Sequence, residues 1–167
     1  MNDKTQDLAP NDKSAYFVRP SVSISQETVK TLVVAGVDPQ VARIDLEAPK
    51  LVLAVNESWS SERLLVGELE YKRFLTLHLW NRHLPFPLVP TVLIDGMWHA
   101  HILDTRAYVA DTTKLFGSYL HHFPYLGFLD PDSIRLKQEA FLKFCTLYEW
   151  TFGESYLRSA VSLHERV

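Results

Sequence analysis

Ser60–Asn81, SSERLLVGELEYKRFLTLHLWN, is the stretch that decides the fold. Ser60 is a residue type that accepts hydrogen bonds from first-turn amides. After it, Leu64, Gly67, Tyr71, Phe74 and His78 recur at three- and four-residue steps. That spacing puts them on one face of a helix over about 61–81. Leu65, Leu69 and Leu79 fall on another face. A helix that is apolar on two sides belongs in the centre, with other helices packed around it.

The flanking sequence supplies those neighbours. Ser25 begins a helix to about Ala35, stopped by Gly36 and Asp38-Pro39. A second helix is expected over about 40–56, with a break and a fresh turn at Pro49. Three prolines between His83 and Pro90 make a stiff extended connector. Thr91 then caps the helix that holds IDGMWHAHILD, residues 94–104, and Asp104-Thr105 marks a new cap or a kink. Helix continues to about Leu115, with Gly117 as its stop. An aromatic loop, SYLHHFPYLGFL, covers 118–129. Asp130-Pro131 restarts a helix with Ile134, Phe141, Cys145, Tyr148 and Phe152 on one stripe, and a last amphipathic segment runs from Glu154 to Leu163. Strand signals are too short to stand. The expected fold is all-α, a compact bundle of about five or six helices over residues 21–167, with a mobile N-terminal tail over 1–20.

Composition narrows the function classes. The chain has 167 residues, enough for one domain with a sizeable core, and a formal net charge of −3. Its longest basic run is Lys72-Arg73, so a phosphate-backbone partner is disfavoured and nucleic acid is not the expected ligand. No apolar run approaches the roughly 20 residues of a membrane span. The single cysteine, Cys145, makes no internal disulfide and reads as a small buried hydrophobe. With a polar stretch at residues 1–14, a cytoplasmic compartment is expected.

Four of the seven histidines, His99, His101, His121 and His122, lie within 24 residues, among Asp95, Asp104, Tyr108, Asp111, Tyr119 and Tyr125. Imidazole with carboxylate is the usual ligand set for zinc, iron and manganese, and the usual acid–base pair. On one continuous helix His99 and His101 diverge by about 200° and cannot share an ion. Asp95 and His99, four apart, do share a face. So do His101, Asp104, Tyr108 and Asp111, at steps of three, four and three. Of the adjacent His121 and His122 at most one faces the helix, and His121 is preferred. Each aspartate alone also reads as a helix cap, and each histidine alone as a hydrogen-bonded core group. His78, His83 and His164 read as structural or solvated. HExxH, CxxC, GxSxG, P-loop and GxGxxG signatures are absent.

Three stretches together, YKRFLTLHLW at 71–80, LVPTVLIDGMWHAHILDTRAYVAD at 88–111 and LFGSYLHHFPYLG at 115–127, resemble the glycine-rich domain-containing protein-like family. The resemblance covers about residues 57–127. It implies a domain of unknown function shared by bacteria and plants, whose plant relatives carry further regions, one of them glycine-rich, and are linked to development and stress responses. That glycine-rich part is missing here, where only 6 glycines occur. The family pattern highlights Asp95, Trp98, His99, His101, Tyr108, Asp111, His121 and His122. It also leads one to expect a cysteine after the aspartate that matches Asp111. Thr112 stands there instead, so any role of that cysteine is lost.

Three functions fit these residues. The first is a metal-dependent enzyme or metal-binding protein acting on a small molecule or peptide, with His99, His101, Asp104, Asp111 and His121 as candidate ligands of iron or zinc. The candidate catalytic residues are His99, His101 and Tyr108. The second is a non-catalytic helical interaction module in which these groups form a structural hydrogen-bond network. The third is metal-free acid–base catalysis on a small molecule held among the aromatics.

Overall fold

A computed structural model describes residue 19 and residues 22–156 of the chain. The expected tail apart from Arg19, and the amphipathic segment beyond residue 156, lie outside the described residues. Six α-helices and a 3-10 turn make up the regular structure, and no strand occurs among the described residues. The helices are α1 Gln26–Val34, α2 Glu47–Asn56, α3 Ser61–Trp80, α4 Val92–Leu103, α5 Thr105–Phe116 and α6 Pro131–Phe152; the 3-10 turn is Val41–Arg43. The fold is all-α.

The starts of the helices follow their capping chemistry. Ser25, Ser60 and Thr91 accept hydrogen bonds from the amides of Thr28, Arg63 and Ile94. Asp130 accepts from the Ser133 amide while Ser133 Oγ takes the Asp130 amide, a reciprocal capping box with Pro131 at the first helical position. The second helix differs from expectation. It starts at Glu47, and residues 41–46 are a 3-10 turn and extended chain rather than α-helix. Pro49 sits in the first turn of α2, where its missing N–H had no intrahelical partner to lose, so it does not break the helix. The Asp45 carboxylate begins the turn by accepting from the Glu47 amide at 3.0 Å.

α3 runs through the middle of the molecule. Tyr71, Phe74, Leu75 and Leu77 are fully enclosed, whereas Leu65 at the outer end of the helix is 66% exposed. Polar neighbours on α3 are buried as well, each with a partner. Lys72 donates to Glu68 at 2.8 Å and to the Ala42 carbonyl at 3.3 Å. Arg73 donates to Glu154 and to the Tyr148 hydroxyl. Phe144 of α6 packs edge-on to Phe74 with centroids 5.9 Å apart. The buried line of α6 is Ala140, Phe144 and Tyr148, so Ala140 and Phe144 take the core positions expected of Phe141 and Cys145; those two and Phe152 pack at the edge, and Ile134 is half-exposed.

α1 ends where the chain turns through Gly36 at φ +89°, and a Cβ there would stand 2.8 Å from Cδ1 of Phe152. Left-handed backbone and a packed ring both oppose any side chain. Gly36→Ala is therefore expected to cost about 2 kcal/mol and lower Tm by several degrees in a thermal melt.

Candidate metal centre

α4 presents two faces. Ile94, Met97, Trp98, Ala100 and His101 point into the core, while Asp95 and His99 point outward one turn apart. Asp95 lies in the first turn, where the aligned amides favour negative charge. After α5 the chain passes through Gly117 in the left-handed conformation and returns along α4, and His122 on this return meets the outward face. The His122 Nε2 atom is 2.9 Å from Asp95 Oδ1 and 3.3 Å from His99 Nε2. His99 Nε2 to Asp95 Oδ1 is 3.8 Å. Among the described residues, Asp95, His99 and His122 are the three that present donor atoms close enough to share one ion.

These separations can be compared with metal geometry. For metal–ligand bonds near 2.1 Å, neighbouring donors stand about 3.0 Å apart around an octahedral ion and about 3.4 Å around a tetrahedral one. The observed 2.9, 3.3 and 3.8 Å bracket both values. His99 is about half-exposed, Asp95 rather less and His122 little exposed, so the cluster opens to solvent on the His99 side.

Trp98 and Tyr108 hold His122 in place. The Trp98 ring packs against His122 with centroids 4.5 Å apart. Its indole N–H donates to the Tyr108 hydroxyl at 2.8 Å, and that hydroxyl donates to the Leu120 carbonyl at 2.5 Å. One side-chain chain thus runs from α4 through α5 to the backbone two residues before His122. Burial pushes the Tyr108 phenol up to about 12, so it stays a donor at neutral pH. Tyr108→Phe leaves both an indole N–H and a carbonyl unpaired. It is expected to cost about 1–3 kcal/mol and to weaken any ion bound through His122 by about tenfold or more, read by calorimetry.

His101 is placed elsewhere. It is fully buried, with Nδ1 3.0 Å from the Tyr71 hydroxyl and Nε2 3.2 Å from Asp111 Oδ2. A carboxylate beside Nε2 requires a proton there, so in the neutral ring Nδ1 is the acceptor and the Tyr71 O–H the donor. Burial raises the Tyr71 phenol well above its ordinary range. Asp104 forms the break between α4 and α5 and pairs with Arg19. The Arg19 guanidinium also donates to the Asp45 carboxylate and to the Asp45 backbone carbonyl. The ring of His121 leans on Tyr119 at 4.8 Å, away from the Asp95–His99 contact that His122 makes.

Of the expected ligands, then, the structure brings His99 to a carboxylate and a second imidazole, and those are Asp95 and His122 rather than Asp104, Asp111 and His121. His101 and Asp111 meet each other, and Tyr108 touches His101 edge-on at 5.0 Å. The Asp95–His99 half of the cluster was visible as an i, i+4 pair. Choosing His122 depends on the Tyr108–Leu120 bond, which no local pattern reveals.

The chain is similar to glycine-rich domain-containing proteins. It is 37% identical over 95 residues to glycine-rich domain-containing protein 2 of Arabidopsis thaliana, and 36% identical over 95 residues to protein 1 of the same plant. In each case the match takes in 53% of this chain but only 11% of the relative, so the chain spans about a tenth of the length of the curated relatives it matches. No protein-family profile matches the chain, and no solved structure does. No helix among the described residues is long and apolar enough to cross a membrane.

Proposed function

We propose that Asp95, His99 and His122 hold one divalent metal ion, iron or zinc, and that the protein is a metal-dependent enzyme acting on a small molecule or peptide. The observation that carries this reading is the convergence of two imidazole nitrogens and one carboxylate oxygen at spacings an ion would accept. Two histidines and one carboxylate on a single side of an ion leave positions free for water and substrate, unlike a closed four-ligand structural site. Zinc there would polarise a carbonyl or lower the pKa of bound water, while iron would support oxidative chemistry. Elemental analysis of tag-free protein tests the reading. About one equivalent of a transition metal supports it, and no metal after purification and reloading sinks it.

A second role is favoured for a different set of residues. Tyr71, His101 and Asp111 join α3, α4 and α5 through hydrogen bonds inside the core, which suits a structural network. In this reading the motif WHAH divides its labour. Trp98 and His101 hold the scaffold, and His99 faces the ion.

A further inference from the structure

The wall beside the candidate ion is informative about what could bind there. An open groove of about 480 Å³ beside the candidate ion is lined by His99, His121 and His122 together with Ile102, Leu103, Tyr119 and Pro124. Among the described residues, no lysine or arginine lines it. Leu103 is 76% exposed and Tyr119 37% exposed, so apolar surface is offered to a ligand rather than packed away. Beyond this rim the same loop exposes Phe123 and Tyr125, their rings in edge contact at 5.6 Å.

Charge then selects the head group. A divalent ion with one aspartate and two neutral imidazoles carries a net charge of about +1. One anionic oxygen donor neutralises it. A phosphate or diphosphate would bring surplus negative charge beside Asp95, into a groove that no lysine or arginine among the described residues lines. Resting on the metal reading above, we infer that this groove binds a small molecule with a monoanionic chelating head on the ion and an apolar or aromatic body along Ile102, Leu103 and Tyr119. Phosphorylated metabolites and nucleotides are disfavoured.

The test uses the full chain loaded with cobalt(II), whose visible absorption reports both uptake and ligand exchange. Acetohydroxamate and benzohydroxamate share one chelating head and differ only in the body. Benzohydroxamate is expected to bind about tenfold tighter, because its ring removes apolar area from water against the groove. Phenyl phosphate should bind more weakly than benzohydroxamate. Leu103→Asp, a change at an exposed position, should bring the two hydroxamates to within about threefold of each other and leave cobalt uptake at one equivalent. If wild-type protein takes up cobalt but binds both hydroxamates equally, or prefers phenyl phosphate, the groove assignment is overturned while the metal centre stands. If wild-type protein takes up no cobalt, the metal centre itself falls, and the groove assignment with it.

Discussion

Zinc titrated into the wild-type chain is expected to bind at one equivalent, and the His122→Ala variant is expected to give no saturable heat. His122 is the group that bridges the other two, standing 2.9 Å from Asp95 and 3.3 Å from His99. Without it, an aspartate and a half-exposed histidine one helical turn apart remain, and such a pair seldom holds an ion against water. Binding to the folded state alone also raises stability. At free zinc 100-fold above Kd the gain is about 2.7 kcal/mol, or about 5–10 °C in Tm for a chain of this size. The variant should melt at the same temperature with and without zinc. Equal zinc stabilisation of the wild type and of His122→Ala would refute the cluster. The side chain is 15% exposed and packs on Trp98, so a small loss of metal-free stability is also expected.

His101→Ala should do the opposite. This imidazole is enclosed, and its removal empties space in the core and leaves the Tyr71 hydroxyl without its partner. A cost of about 3–4 kcal/mol follows from the cavity and the unpaired donor together, a fall in Tm of about 6–15 °C. Zinc should still bind at one equivalent. Tyr71→Phe makes a gentler version of the same test, since it deletes the hydroxyl but keeps the ring, and about 1–2 kcal/mol is expected. If His101→Ala instead removed zinc while the melt stayed put, the imidazole would be a ligand and the division of roles proposed for the motif would be wrong.

Much of this arrangement was written locally. Serine, threonine and aspartate caps placed the starts of α1, α3, α4 and α6, because a cap needs only its own first turn. The Asp95–His99 pair was legible for the same reason. The cap or kink expected at Asp104-Thr105 is where α4 and α5 part, and the weaker step was to place His101, Asp104, Tyr108 and Asp111 on one face across it. Asp104 adopts ψ 65° and separates α4 from α5. His101 consequently reaches Tyr108 and Asp111 across a bend rather than along a face, and Asp104 turns out of that row to Arg19. The stripe on α6 shows the matching limit. Choosing between Phe141 and Phe144 as the core aromatic requires knowing where Phe74 stands, and that is decided by α3. His122 is legible only after Trp98 and Tyr108 are placed, since long-range contacts, not periodicity, aim its ring.

The guanidinium of Arg19 bears on where this unit can be cut. It is the shared counter-charge of Asp45, just ahead of α2, and of Asp104, at the α4–α5 bend. A shortened chain begun at residue 21, the boundary that composition suggests, would discard that counter-charge. Two acidic groups would then confront one another beside the bend that sets the direction of α5. Truncation mapping should accordingly keep position 19, and a chain that begins upstream of it should tolerate low ionic strength better than one that begins just after.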